Sequence, residues 1–267
     1  MRMVATDLDG TIVRADGTVS ERTVAALQAC LDAGLLVVYV TGRPMRWMAE
    51  VVDQTGHRGV ALCGNGAVVY DLAAEQVLAA RTLSPEVAVR VAALLREAMP
   101  DAQFAVETLA GFRLEPGFQP HWDDAVRFRP FPEGDLGQLL ADDPGLLKLL
   151  CRSESRLADD MLARAIPALD GIAAPTHSNP RDCLLEISAL GVGKASALAD
   201  LAAEHGIDPA DVVAFGDMPN DLDMLAWAGR GYAMRGGHAD VLAVAELVAP
   251  PVTEDGVAQV LEALLAH

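Results

Sequence analysis

Residues Met3 to Val13 read MVATDLDGTIV, a short apolar run that stops at two aspartates separated by one leucine. Met3, Val4 and Ala5 have the character of a buried strand, and Gly10 permits a sharp bend before Thr11. Asp7 and Asp9 thus fall at a strand's carboxyl end, the edge where open α/β sheets bind ligands. Period-two alternation across Leu8 sends both carboxylates the same way, and two such charges call for a cation. Taken alone, the stretch fits a solvated turn equally well, since Asp and Gly are common turn residues.

Downstream, Ser20 is placed to cap a helix with Glu21 in its first turn, an apolar face of Val24, Leu27 and Leu31, and Gly34 at its end. The apolar run Leu35 to Val40 follows as a strand and stops at Thr41-Gly42-Arg43-Pro44. Strand, helix and strand with short links imply a right-handed parallel crossover and an α/β sheet. A helix through Met48, Val51 and Val52, a strand at Val60 to Leu62, Gly64-Asn65-Gly66-Ala67 and a hairpin of Val68 to Tyr70 with Val77 to Ala80 come next. Ser84-Pro85-Glu86 opens another helix, carrying Val87, Val91, Leu94 and Leu95.

The pattern then changes. Between about Gln103 and Ser188, short strands at Phe104 to Leu109, Phe112 to Leu114, Leu146 to Cys151 and Cys183 to Ile187 mix with a helix at Leu157 to Ile166 and many Pro and Gly turns. Regular α/β order resumes at Gly193, with a helix from Lys194 to His205 and a strand Val212 to Phe215 that stops at Gly216-Asp217. A helix Asn220 to Ala228, a strand Tyr232 to Met234 and two more helices complete the chain. The expected architecture is a discontinuous α/β core, 1–82 and 187–267, interrupted by an α+β module, 83–186.

Size and charge agree with that division. At 267 residues the chain lies where single cores stop growing and split, and its 52% hydrophobic content supplies a sizeable core. Its 20 Lys+Arg against 38 Asp+Glu give a formal charge of −18, which repels nucleic acid and anionic membranes, so neither is an expected partner. Cys30, Cys63, Cys151 and Cys183 are scattered and suggest reduced thiols. Asp7 and Asp9 interrupt any signal-peptide core, and Leu35 to Val40 is far too short to span a bilayer, so a cytoplasmic location is expected. The sequence carries no signal for a particular oligomeric state.

Four polar clusters fall at strand ends or helix starts: Asp7 with Asp9, Thr41-Gly42, Lys194, and Asp217 with Asn220 and Asp221. In a parallel sheet these positions converge on one edge. An aspartate with an ordinary pKa of about 3.9 is ionised at neutral pH and serves as a nucleophile without an activating base. Attack on phosphate sets like charges together at a cost on the order of 4 kcal/mol per unit pair at ~4 Å and a dielectric of 20, so cations must offset it. Mg2+ suits one or two carboxylates plus phosphate and water oxygens. Asp7, Asp217 and the main-chain carbonyl of Asp9 are its candidate ligands, Lys194 a counter-charge, and the Thr41 hydroxyl with nearby N–H groups a cradle for phosphate oxygens. Individually, Lys194 also reads as a solvated lysine, Thr41 to Pro44 as a turn, and Asn220-Asp221 as helix caps.

In this order the clusters resemble the haloacid dehalogenase-like superfamily, and within it the Cof-like sugar-phosphatase branch. Asp7-Leu8-Asp9-Gly10-Thr11 matches its first motif, Thr41-Gly42-Arg43 the second, Lys194 the third, and Gly216-Asp217-Met218-Pro219-Asn220-Asp221 the fourth. The similarity extends to Cys63-Gly64-Asn65-Gly66-Ala67 and to Glu254-Asp255-Gly256-Val257-Ala258, so it covers essentially the whole chain. It implies a Rossmann-like core with a large α/β cap as the insert, and magnesium-dependent hydrolysis of a small phosphorylated metabolite. In that scheme Asp7 forms an aspartyl-phosphate, Asp9 protonates the departing alcohol and later activates water, and Asp217 binds the metal. Asp221 orients a metal-bound water, Asn220 serves the phosphate side, and Gly42 and Arg43 are candidates for the substrate or its surroundings, the Arg43 side chain either contacting substrate or tying the loop down.

The chain departs from the branch at Gly64, where serine is common, and at Arg235-Gly236-Gly237, where many relatives have Gly-Asn-Ala. Within the insert, Glu115, His121, Trp122, Asp123, Lys148, Arg152, His177 and Arg181 are candidates for meeting a polar leaving group. Two other classes remain open: a phosphomutase on the same aspartyl-phosphate, and a non-catalytic phospho-ligand sensor. A P-loop reading of Gly191-Val192-Gly193-Lys194 fails, because Ser188 stands where GxxxxGK[ST] needs glycine and Ala195 where it needs Ser or Thr.

Overall fold

The opening run forms β1 (Met3–Thr6), all four residues buried, in a computed structural model that describes residues 1–120, 131–141 and 145–266. Helix α1 (Glu21–Asp32) follows, with the Ser20 hydroxyl accepting the Thr23 N–H as its cap. Next come β2 (Leu36–Val40), α2 (Met48–Thr55), β3 (Val60–Cys63), β4 (Val68–Asp71) and β5 (Gln76–Ala80). Then α3 (Pro85–Ala98) is capped by Ser84 with proline in its first turn, as the Ser-Pro-Glu signal anticipates. The middle of the chain supplies β6 (Gln103–Thr108), β7 (Gly111–Leu114), α4 (Leu136–Leu140), β8 (Leu146–Arg152), α5 (Ala158–Ala168), β9 (Ala173–Thr176) and β10 (Leu184–Ala189). The remainder forms α6 (Lys194–Glu204), β11 (Val212–Gly216), α7 (Leu222–Trp227), β12 (Arg230–Met234), α8 (Ala239–Val244), β13 (Leu247–Ala249) and α9 (Gly256–Leu265).

Two compact units result: Met1–Ala79 with Gly193–His267, and Ala80–Val192. The first is an α/β, Rossmann-like unit whose eight-stranded sheet runs β13-β12-β11-β1-β2-β3-β4-β5. Neighbours from β13 to β3 are parallel, and β4 returns antiparallel to β3. β1 lies between β2 and β11, so the chain leaves it on one side and comes back on the other, a topological switch point. Met3 and Ala5 of β1, Val38 and Val40 of β2, Leu62 of β3 and Val212 and Ala214 of β11 pack against Ala197, Leu198 and Leu201 of α6 and Met224 of α7. Helices α1 and α9 pack against each other, α1 also against β2 and α9 against β13.

The second unit is α+β. Its sheet, β7-β6-β8-β10-β9, is antiparallel throughout. Phe104, Val106, Leu149, Cys151, Leu185 and Ile187 point to one side and form a core with α3, α4 and α5. Ala105, Phe112, Leu114 and Leu150 alternate to the other side and cluster with Phe118. Among the described residues no helix is long and apolar enough to cross a membrane.

Some elements differ from expectation. The buried face of α1 is Thr23, Ala26, Leu27 and Cys30, which keeps Leu27 of the expected face but not Val24 and Leu31; that of α3 is Ala88, Val91, Ala92 and Leu95, which keeps Val91 and Leu95 but not Val87 and Leu94. In alanine-rich helices the smallest residues permit the closest approach, so the bulkiest side chains do not mark the buried stripe. Strands β9 and β13 escape a reading by pattern. β9 contains Pro175, which an edge position tolerates, and β13 has three residues.

Candidate active site

The catalytic, metal and phosphate residues expected from the sequence all lie in the first unit, and the sheet order brings its contributing segments together. Asp7 directly follows β1, Thr41 follows β2, and Asp217 follows β11, three adjacent strands. The Asp7 N–H donates to the Phe215 carbonyl at 2.9 Å and extends the β1–β11 ladder by one bond. Lys194 is the first residue of α6, and Asp221 ends the short helical turn Pro219–Asp221 before α7.

Lys194 is the hub. Its side chain is wholly buried, and Nζ donates to Asp7 Oδ1 at 2.6 Å and to Asp221 Oδ1 at 2.7 Å. Burial alone would lower an ammonium's pKa, but Asp221 and Asp7 outweigh it and hold Lys194 above its ordinary range. Asp221 is fully buried, and its Oδ2 accepts the N–H groups of Asp217 (2.9 Å) and Met218 (3.0 Å). It therefore braces both the lysine and the turn that carries Asp217.

Asp217 packs so closely on Gly10 that a Cβ at position 10 would overlap its carboxylate, and Gly10 has φ +81°. Glycine serves two needs there, the left-handed backbone and the close approach. Carboxylate oxygens of Asp7, Asp217 and Asp221 lie within 4.8 Å of one another, all buried. Among the described residues, Asp217 Oδ1 is buried without a hydrogen-bond partner. Among the described residues nothing donates to Asp7 Oδ2 either. Three acids facing one ammonium, with acceptor oxygens to spare, form a donor set that suits a hard divalent cation. The electrostatics agree. Desolvation, opposed by Lys194 and aided by Asp221 and Asp9, pushes Asp7 up to about 7. Desolvation, then Asp7 and Asp221, push Asp217 up to about 9. The ordinary aspartate value thus does not describe Asp7, which needs added positive charge to be a ready anion at neutral pH.

Asp9 behaves differently from the alternation argument. β1 ends at Thr6, so period two does not continue through Leu8, and the two carboxylates take different surroundings. The Asp9 side chain is 59% exposed and meets Arg43 with both oxygens, Nε donating at 2.8 Å and Nη2 at 2.5 Å. Each aspartate has its own cation, lysine for Asp7 and arginine for Asp9. Thr41 is buried, and its hydroxyl accepts the Arg43 N–H at 3.0 Å, which closes the loop around Gly42. Asn220 Nδ2 donates to Asn65 Oδ1 at 3.0 Å, a partner that the sequence motif contains without indicating its contact.

A haloacid dehalogenase-like hydrolase family matches residues 4–261. The chain belongs to that family. Curated relatives of this hydrolase include a 5-amino-6-(5-phospho-D-ribitylamino)uracil phosphatase of Bacillus subtilis, 27% identical over 97% of this chain and 96% of its own. An HMP-PP phosphatase of Enterobacter is 28% identical over 94% and 89%. In fold it is similar to the phosphatase BT1666 from Bacteroides thetaiotaomicron, with TM-score 0.82, 23% identity and 98% and 94% coverage. It is equally similar to the subclass IIB sugar phosphatase BT4131, with TM-score 0.82, 20% identity and 99% coverage of both chains. Membership of that family makes the chain a haloacid dehalogenase-like hydrolase.

The insert residues considered for leaving-group contact largely have partners within their own unit. Glu115 accepts Arg96 with both oxygens, Arg152 is bound to Asp182 and Cys183 Sγ, and His177 meets Asp159. Lys148 pairs with Glu186, both buried, and Ser178 donates to the other oxygen of that carboxylate. Arg181 is exposed. His121, Trp122 and Asp123 lie outside the described residues. At the unusual Arg235-Gly236-Gly237, Gly237 lies where a Cβ would press on the Asp217 backbone, and Arg235 is exposed.

Proposed function

We propose that this hydrolase is a magnesium-dependent phosphomonoesterase that acts in the cytoplasm on a sugar phosphate or another small phosphometabolite. The observation that carries the reading is the state of Asp7: one oxygen held by a buried lysine at 2.6 Å, and the other with no donor among the described residues, inside a cluster of acids. A carboxylate fixed in this way has one oxygen oriented by Lys194 and one free to attack. Asp7 and Asp217 side chains and the Asp9 main-chain carbonyl are the groups that would hold magnesium. When bound, the ion supplies positive charge against the acids and the phosphate.

In the proposed reaction Asp7 Oδ2 attacks phosphorus and the bond to the alcohol oxygen breaks, leaving an aspartyl-phosphate. Asp9 gives its proton to that oxygen, then takes one from the water that attacks phosphorus and frees Asp7. Lys194, the Thr41 hydroxyl and Asn220 meet the phosphoryl oxygens, and Arg43 orients Asp9. Asp221 acts through Lys194 and the Asp217 turn, which the three hydrogen bonds to its carboxylate support more strongly than a role on water. The relatives' names support a small phosphorylated metabolite, and the insert, 83–186, is proposed to carry selectivity for its leaving group. Phosphate release from a phosphometabolite panel tests the reading. Turnover should require magnesium, stop with chelation and vanish in Asp7→Asn. Robust turnover by a homogeneous Asp7→Asn protein would sink the nucleophile assignment.

A further inference from the structure

After β3 the chain turns through Gly64, Asn65 and Gly66, with φ of 59°, 58° and 90°. Glycine takes such angles without steric penalty, and asparagine is among the few other residues that enter this region. Asn65 is also 3% exposed, uncommon for a residue type mostly found at the surface. Its contacts connect the separate pieces of the site. The Asn65 N–H donates to the Thr41 carbonyl and the Gly64 N–H to the Arg43 carbonyl, each at 2.9 Å. Asn65 Oδ1 accepts Asn220 Nδ2, from 155 residues away. Gly66 lies against the Gly193 carbonyl and Ala197 at the start of α6, where a Cβ would collide with backbone.

An asparagine amide offers a donor at one end and an acceptor at the other, so its usefulness to an anion depends on which end faces it. Asn65 takes one of the two Nδ2 hydrogens of Asn220 and leaves the second. Asn220 Oδ1 is buried with no hydrogen-bond partner among the described residues. We propose that Asn65 is a positioning residue: it fixes the Asn220 amide and the Thr41 loop in the orientation that receives phosphoryl oxygens, without touching the substrate itself. The inference rests on the phosphoryl site described above.

Asn65→Gly is the decisive variant, because glycine keeps the left-handed backbone and deletes only the side chain. With magnesium and para-nitrophenyl phosphate, Asn65→Gly should lower kcat/KM about tenfold, the scale of one hydrogen bond to a group that meets a charged ligand. Ki for inorganic phosphate should rise in parallel. Asn220→Ala should lose at least as much, and the double variant should fall no more than about twofold below Asn220→Ala, since Asn65 acts through Asn220. Multiplying single effects, or an unchanged kcat/KM and Ki in Asn65→Gly, would overturn the proposal. If the wild-type protein turns over no phosphomonoester, the phosphatase reading fails separately, and calorimetric binding of inorganic phosphate to the same variants decides the positioning role by the same pattern. If Asn65→Gly does not fold, the wild-type Asn220 side-chain amide decides, its resonance assigned by its loss in Asn220→Ala. One slowly exchanging Nδ2 proton supports the contact, and rapid exchange of both refutes it.

Discussion

Replacing Lys194 with methionine keeps the stem of the side chain and deletes its charge. Nζ lies 2.6 Å from Asp7 and 2.7 Å from Asp221, fully buried. At an effective dielectric of 20, each contact represents about 6 kcal/mol of Coulomb attraction. The three acids stand within 4.8 Å of one another, so each ionised pair repels by about 3 kcal/mol or more. Attraction and repulsion are therefore of similar size, and loss of the ammonium leaves repulsion alone. Proton uptake relieves most of it, and the observable cost is that of breaking a buried pair, about 3–5 kcal/mol. For a chain of this size that corresponds to a Tm lower by about 10 °C. The sign with pH follows from the acids. Asp7 and Asp217 already stand at about 7 and about 9, above the ordinary 3.8. A carboxyl raised in the fold contributes stability that is present below its ordinary value and lost as pH climbs through the folded one. Without Lys194 both rise further, so the deficit against wild type should widen from pH 5 to pH 8. Circular-dichroism melts in chelator at the two pH values measure this. An equal Tm at pH 8, or a larger deficit at pH 5, would refute the account of Lys194 as the charge that holds the acids together.

Added magnesium should raise Tm more at pH 8 than at pH 5.5, because Asp7 and Asp217 must lose protons to accept a cation; equal shifts in a thermal-melt titration would count against these ligands. Asp9→Asn should slow alkyl phosphates far more than aryl phosphates, whose leaving groups need no proton, and equal slowing would remove Asp9 as the acid. Arg43→Met should reproduce the same bias more weakly, while changing stability by less than about 1 kcal/mol, since Asp9 is exposed; a denaturant titration beside the kinetics checks both halves. In the insert, Lys148→Met removes the cation paired with the buried Glu186 and should cost about 3 kcal/mol, visible as a lower calorimetric Tm; an unchanged Tm would show that the pair is dispensable.

The outline of the core was legible because β1, β2 and β11 are apolar runs that stop abruptly at polar residues, whereas the switch in pattern near Gln103 falls inside the second unit, Ala80–Val192, and not at its edge. Helix starts were legible where Ser20 and Ser84 cap them. Less was visible where the signal is carried by small residues, as on the buried faces of α1 and α3. The orientation of Asp9 was hidden because alternation holds only within a strand, and β1 stops three residues short of it. The Asn65–Asn220 contact was hidden for another reason: no local pattern reports a hydrogen bond between residues 155 positions apart. Asp221 was recognisable as a site acid, but its part in bracing Lys194 and the Asp217 turn depends on two N–H groups that only the folded backbone aligns.

The parallel pairing of β1 with β11 joins residues 3–6 to residues 212–215, and the Lys194–Asp7 bond closes a loop spanning 187 positions. Contacts this distant along the chain are slow to form, because the entropy of closing the loop is lost before the pairing is gained. The hairpin of β6 with β7, by contrast, needs only its own neighbourhood. On dilution from denaturant, helical ellipticity should therefore recover ahead of hydrolysis, and the first turnover marks the moment at which residues 3–6 and 212–215 have paired.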